Sequence, residues 1–228
     1  DAPMTNDFQQ AALNEFQKSA SQLAKGKDAT AALTKSYERY DNLIAKTIDV
    51  SSIKPACKAG CAFCCHYKVE VRAHEMLLIK DYMSKTCSVE KIAAVLAEAK
   101  SNAAIIRTLT PEQHLTTNIK CPMLQNNQCS IYPARPFRCR NFHSTDASAC
   151  EQSHGDPSNM EITTGMIENV AMLADAHTQG FEAAAEQTGK DARVYDFTTA
   201  LLEVFADASV LKRYQRGKKT FHQAIEIS

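Results

Sequence analysis

The uneven distribution of nine cysteines constrains this 228-residue chain more than any other feature. Cys57, Cys61, Cys64 and Cys65 fall within nine residues, and Cys121, Cys129, Cys139 and Cys150 fall within thirty. Cys87 stands alone between the two groups. A chain of this length can bury a substantial core without cross-links, and small disulfide scaffolds are denser in cysteine. Two groups of four cysteines therefore indicate metal sites, with structural disulfides or inert buried thiols as the plainer alternative.

Charge and hydropathy exclude several classes of partner. Lysine plus arginine equals aspartate plus glutamate, at 26 each. The sequence therefore has no excess of positive charge of the kind that binds nucleic acid or an anionic membrane. No apolar run approaches the roughly 20 residues that a membrane span needs. The opening DAPMTNDFQQ lacks the basic and then apolar build of a secretory signal, although a start at Asp1 rather than Met leaves open a leader removed earlier. We expect a cytoplasmic protein, in which reduced thiols are the rule.

Apolar periodicity predicts an N-terminal helical hairpin over residues 1–52. Helical spacing of apolar residues runs from about Asn6 to Lys25, with Gly26 as a stop, and a second stripe runs from Ala32 to Ile48. Pro55 then marks a break that a helix would not cross.

Residues 53–228 are predicted to form a cysteine-cluster metal-binding domain with C-terminal helices. Residues 51–66 and 120–156 are irregular, and such long loops are usually functional or disordered. Between them, a short extended stretch should lead into a helix over 73–85, followed by helices capped at Ser88 and Thr110. Helical patterns return after Pro157, and the basic run Arg213 to Lys219 is interpreted as solvated. The predicted fold class is all-α, mainly helical, with long irregular cysteine-rich loops that form a metal-binding centre.

The spacing within each cysteine group suits a metal. Cys61 and Cys64 form a CxxC unit, in which a tight turn lets two thiolates converge on one ion. The vicinal pair Cys64–Cys65 rarely serves one tetrahedral ion, because successive side chains diverge, but it can serve two neighbouring metal atoms. Arginines accompany the second group and would balance thiolate charge, at Arg135, Arg138 and Arg140.

These motifs resemble the YkgJ-like cysteine-cluster proteins, whose CxxCxxCC domain is described as zinc- or iron-chelating. Cys61-x-x-Cys64-Cys65 looks like the family signature, with Cys57 in the place of the leading cysteine but one residue further away. The second half of the family pattern is similar to Cys121-Pro-x-Leu, Cys129-x-Ile-Tyr, Arg135-Pro-x-x-Cys139-Arg-x-Phe and Cys150. The resemblance covers about residues 57–154 and implies metal chelation by these eight cysteines.

The residues leave the metal and the number of centres open. All-cysteine ligation suits an iron–sulfur cluster, such as 4Fe-4S, as well as zinc, and the vicinal pair favours the iron–sulfur cluster. Two four-ligand centres, or one centre with four spare cysteines, both fit. His66, His143 and His154 lie near the cysteines but are interpreted as surface or supporting groups, and Cys87 as a small buried or half-exposed hydrophobe.

Three functions follow from such a centre. The first is a metal-binding protein in which the centre has a mainly structural or redox role and presents a surface to a protein partner. The second is an iron–sulfur oxidoreductase or transfer enzyme, for which no catalytic residue can be named. The third is metal delivery or sensing. The absence of an H-E-x-x-H motif removes the usual hydrolytic zinc signature.

Overall fold

The computed structural model describes residues 2–25 and 29–227. Within these residues the chain is 60% helix and 5% strand, which confirms the mainly helical prediction. The helices are α1 (Ala2–Leu23), α2 (Thr30–Val50), α3 (Ala73–Thr86), α4 (Val89–Ile106), α5 (Pro111–Leu115), α6 (Phe137–Arg140), α7 (Ala147–Gly155), α8 (Glu168–Gln187), α9 (Phe197–Ala206) and α10 (Val210–Gln215). The strands are β1 (Glu70–Arg72), β2 (Leu124–Gln125), β3 (Gln128–Cys129), β4 (Val194–Asp196) and β5 (Glu226–Ile227).

Local chemistry fixes several helix starts where the sequence predicted them. Ser88 accepts a hydrogen bond from the Lys91 N–H, and Thr110 forms a reciprocal capping box with Gln113. The predicted helix over 73–85 is α3, and the extended stretch before it is β1. Gly26, predicted as the stop of the first helix, lies outside the described residues.

The helices pack around one contiguous core. The helix α3 lies at its centre, where seven consecutive residues from Ala73 to Ile79 are buried. The helix α1 packs mainly on α8, and it approaches so closely that a Cβ at Gly180 would collide with the Ala12 carbonyl oxygen. A small antiparallel sheet in the order β1–β4–β5 joins the middle of the chain to its C-terminus, with Val71 opposite Tyr195. The division of the chain at residue 52 stays a prediction.

The C-terminal part corrects two details of the sequence analysis. The helical pattern predicted after Pro157 is interrupted by the strand β4, which begins at Val194, and the helix α9 begins only at Phe197. Arg213 is not solvated, since it binds Glu203 at 3.2 Å and Asp207 at 2.7 Å. The Glu203 carboxylate also accepts the backbone N–H groups of residues 222–224, so this ion pair holds the C-terminal segment to α9.

His74 makes the stability of the fold sensitive to acid. Its ring is 1% exposed and lies edge-on to Phe181, and neither ring nitrogen has a hydrogen-bond partner among the described residues. Burial, and secondarily the charge of Arg72, lowers the pKa of His74 to about 3. The folded chain therefore keeps this ring neutral, whereas the unfolded chain binds a proton below the ordinary histidine pKa near 6.5. Stability is lost as the pH falls from about 6.5 towards 3.

A His74→Leu variant is expected to remove this acid sensitivity. Between pH 7 and pH 5 the parent should lose about 2 kcal/mol more of its free energy of unfolding than the variant loses. Urea unfolding at the two pH values measures the difference, with the exposed His222→Leu as the control. Equal losses of unfolding free energy in the parent and in His74→Leu would contradict the lowered pKa assigned to His74.

Candidate metal centre

The first cysteine segment is a series of tight turns. Gly60 adopts a left-handed conformation at φ +85°, which glycine tolerates without strain, and the Cys61 N–H donates to the Lys58 carbonyl at 3.0 Å. A 3₁₀ turn over Phe63–His66 follows, in which the Cys65 N–H donates to Ala62. These turns place three thiols in six residues on a compact, partly exposed loop.

Backbone hydrogen bonds join this loop to the second cysteine segment. The Cys121 N–H donates to the Cys65 carbonyl at 2.7 Å, and the Ile119 N–H donates to the His66 carbonyl at 3.0 Å. The vicinal pair therefore lies directly against the start of the second segment, which sequence spacing alone could not establish.

Ser144 makes a second connection, at the other end of the first loop. Its carbonyl accepts the Ala56 N–H at 2.7 Å, and its own N–H donates to the Cys57 sulfur at 3.4 Å. The N–H···S contact would stabilise a thiolate at Cys57. Both ends of the first segment are thus tied to the second.

The second segment is less irregular than its sequence suggests. The short hairpin β2–β3 turns at Asn126 and Asn127, both with positive φ, and carries Cys129. A 3₁₀ turn over Tyr132–Ala134 and the single turn α6 carry the chain to Cys139. The helix α7, capped by Asp146, holds Cys150 and was not predicted because its sequence ASACEQSHG has no apolar period.

The thiols fall into two neighbouring groups that share Cys64. Cys139 has an exposed surface, yet the protein atoms packed around its thiol raise the thiol pKa well above its ordinary value, and charges at Cys121, Cys129 and Cys64 raise it further. Burial likewise raises the pKa of Cys150, and here the contributing charges are those of Cys57, Cys61 and Cys64. In the low dielectric of a protein interior one charge acts on another over several ångströms, so these effects place the thiols of a group in the same region without requiring contact. We call Cys121, Cys129 and Cys139 the inner group, and Cys57, Cys61 and Cys150 the outer group.

The vicinal pair lies between the two groups. A hydrogen bond to Cys65 is the largest cause of a raised pKa at Cys64, followed by burial. Burial raises the pKa of Cys121 to about 12, and the charge of Cys64 adds to the effect. The thiols of Cys64 and Cys121 are therefore protonated at neutral pH, and a bound cation would have to displace their protons.

The donor chemistry fits zinc or an iron–sulfur centre. All nine cysteines are free thiols among the described residues, and Cys87 lies apart from both groups. Within the same residues, no three side chains of Cys, His, Asp or Glu stand in metal-coordinating geometry. Thiolates are soft ligands that suit either metal, and binding would require the thiols of a group to draw together.

Two of the arginines near the second segment have different roles. The charge of Arg135 lowers the pKa of Cys129 against the larger effect of burial. Arg140 instead binds Asp41 at 2.7 Å and the Arg135 carbonyl at 3.0 Å, with its guanidinium 3.9 Å from the Tyr37 ring centre. Arg140 therefore locks the turn that carries Cys139 onto α2 rather than balancing thiolate charge.

Glu75 is a contributor that the sequence analysis passed over. Its buried carboxylate accepts the Phe137 N–H at 2.8 Å, two residues before Cys139. Burial raises the pKa of Glu75 to about 7. In the sequence, the signal is an acidic residue just before the apolar run Met76–Ile79, and the structure shows that Ala73–Ile79 is buried throughout.

The histidines near the cysteines flank the site. The rings of His66 and His154 lie 4.6 Å apart, and His66 Nδ1 contacts the Ala62 carbonyl at 3.1 Å. His66 also borders a surface hollow of about 510 Å³, whose lining is largely polar. Its other lining residues are Glu98, Lys120, Leu124, Gln125, Asn126 and Asn127. The hollow adjoins the contact between the vicinal pair and the second segment.

Fold and site together define a mainly helical protein with a cysteine cluster at the junction of two segments. Residues 56–164 match the model of the CxxCxxCC family, described as a putative zinc- or iron-chelating domain. This match confirms, over the central segment of the chain, the resemblance found in the sequence. Comparisons with curated proteins and with solved structures give no match. None of the described helices is long and apolar enough to cross a bilayer.

Proposed function

We propose that this protein binds metal through its clustered cysteine thiolates, holding an iron–sulfur cluster or, as the alternative metal, zinc. The ligands would be Cys57, Cys61, Cys64, Cys65, Cys121, Cys129, Cys139 and Cys150. The observation that carries the proposal is the meeting of two distant cysteine segments, through the Cys65–Cys121 backbone hydrogen bond, with every thiol free.

The central position of the vicinal pair supports two adjacent centres rather than one. The inner and the outer group each supply three cysteines, and four thiolates complete a zinc site or a cubane cluster. One cysteine of the pair would complete each group, because successive side chains diverge. The same arrangement explains why two cysteines are adjacent in the sequence.

The role of the centre would be mainly structural or redox. Ligation across the two segments would contribute folding energy, because it would join parts of the chain that are distant in the sequence. An iron–sulfur cluster would in addition supply reversible one-electron chemistry when bound. A cytoplasmic location is part of the proposal, since free thiols persist in reducing compartments.

A second candidate is an iron–sulfur oxidoreductase or transfer enzyme. The hollow beside the vicinal pair favours it, because a small polar ligand bound there would lie next to the centre. A cluster iron that lacks a fourth protein ligand would distinguish this function from a closed structural site.

Paired cysteine variants test the assignment of ligands. We expect Cys64→Ser to lose at least half of the bound metal, since this thiol adjoins both groups. Cys87→Ser is the matched control and should keep the full metal content, because Cys87 is half-buried at the end of α3 and away from both groups. Elemental analysis of the two variants, purified without oxygen, measures the metal content of each. Equal metal content in Cys64→Ser and Cys87→Ser would contradict the proposal.

A further inference from the structure

Glu75 connects three elements at one buried carboxylate. Its Oε2 accepts the Arg72 N–H at 2.9 Å, and its Oε1 accepts both the Phe137 N–H at 2.8 Å and the Tyr37 hydroxyl at 3.2 Å. The residue is 3% exposed. These donors come from the start of α3, from α6 and from α2, so a single side chain fixes their relative positions.

The contact to Phe137 sets where the turn that carries Cys139 begins. Phe137 is the first residue of α6, and its N–H has no partner within that helix. An unpaired buried N–H is costly, so the turn is stable where the carboxylate can accept it. Cys139 follows two residues later on the same turn, and its position is therefore fixed from α3.

A carboxylate is the group that this junction requires. All three partners are donors, and an ionised or neutral carboxyl group presents enough lone pairs to accept from them. A glutamine of the same shape has one acceptor oxygen and one NH₂ group, which would face a backbone N–H. Glu75→Gln must therefore leave the Arg72 or the Phe137 N–H without its acceptor.

We propose that Glu75 is a positioning residue of the metal centre, which holds the Cys139 thiol where the inner group can close on a metal. This inference rests on the proposed function, since it assumes that Cys139 is a ligand. Groups that orient ligands in this way typically change metal affinity by 10–100-fold when they are replaced.

Glu203 provides a matched control for the loss of a buried carboxylate. It is 5% exposed and accepts three backbone N–H groups, those of His222, Gln223 and Ala224. It lies in α9 and holds the C-terminal segment, and no cysteine contributes to its interactions. Glu75→Gln and Glu203→Gln should both lower the unfolding temperature, but only Glu75→Gln should alter the centre.

The experiment uses cobalt(II) as the probe, added to the full-length chain without oxygen. We measure the thiolate-to-cobalt absorption and the rate at which a chelator removes the metal. Glu75→Gln should shift the absorption and release cobalt about tenfold faster than the parent, whereas Glu203→Gln should match the parent in both. Tyr37→Phe, which removes one of the three donors to Glu75, should give a smaller increase in the release rate.

The outcomes separate the two proposals. Equal release rates for Glu75→Gln and Glu203→Gln would overturn the role of Glu75 while leaving metal binding intact. If Glu75→Gln does not fold, Tyr37→Phe decides, and a release rate equal to that of the parent would overturn the role. A parent chain that gives no thiolate-to-cobalt absorption would instead overturn the proposed function itself.

Discussion

Removal of the metal is expected to loosen residues 56–66 and 141–155 while the helical core stays folded. Residues 56–66 are tied to residues 141–155 by the Ala56–Ser144 hydrogen bond, and to the start of the second cysteine segment by the Cys65–Cys121 hydrogen bond. The preceding residues Val50 and Ile53 do not anchor residues 56–66, since they are 85% and 55% exposed, whereas Phe63 packs on the His154 ring with 5.6 Å between the ring centres. The core around α3 is formed by buried apolar side chains, and Cys121 and Cys129 pack against it as partly buried residues. We therefore expect most of its stability to be independent of the metal.

The expected size of the effect follows from mass action. A ligand present at about 1,000 times its dissociation constant stabilises what it binds by about 4 kcal/mol, which is roughly a 1,000-fold change in a local opening equilibrium. Hydrogen exchange measured by mass spectrometry, with and without a chelator, should show this change in the two segments. Peptides from α3 are the internal control and should keep their protection.

Two results would contradict this expectation. Unchanged exchange in residues 56–66 after complete loss of metal would mean that the metal does not hold the segment. Loss of protection in α3 at the same time would mean that the metal stabilises the whole fold rather than the junction.

Arg140→Ala is expected to destabilise the protein by about 3 kcal/mol or more. The side chain is 1% exposed, and its guanidinium binds Asp41 and the carbonyls of Arg135 and Pro133 while it covers the Tyr37 ring. Because Asp41 is 57% exposed, its ion pair contributes little of this energy, and the lost packing and carbonyl contacts contribute most.

Urea unfolding of matched variants measures this effect. Arg138 lies two residues earlier and is exposed, so Arg138→Ala should change the free energy of unfolding by less than about 0.5 kcal/mol. Arg140→Lys keeps the charge but not the planar fork, and it should recover only part of the loss. If Arg140→Ala is as stable as Arg138→Ala, Arg140 does not lock the Cys139 turn.

The parts of the fold that the sequence predicted are those fixed by local chemistry. Ser88 and Thr110 cap helices through their own neighbours, so their positions could be inferred from a few residues. The strand β4 could not be inferred in this way, because it exists by pairing with β1, more than a hundred residues earlier in the chain. The helix α7 follows from its Asp146 cap and its packing on the first cysteine loop rather than from an apolar stripe.

The candidate site shows the same distinction between features set by neighbouring residues and features set by distant contacts. The cysteines and their two groups in sequence were evident from spacing, and the family match covers the segment that contains both groups. The sharing of Cys64 between the inner and outer groups depends on how the two segments meet, which spacing does not encode. Glu75 was passed over because its partners, Tyr37 and Phe137, are distant in the chain and come together only in the folded protein.

The metal and acid-labile sulfide content of the protein, purified without oxygen and recorded with its absorption spectrum, tests the central claim most directly. We expect iron and sulfide in near-equal amounts, with broad visible absorption from thiolate-to-iron charge transfer. Zinc without sulfide would keep metal binding but replace the iron–sulfur cluster by a zinc centre. A protein that contains neither metal, and takes up neither when they are supplied, would contradict the claim that these thiols form a metal centre.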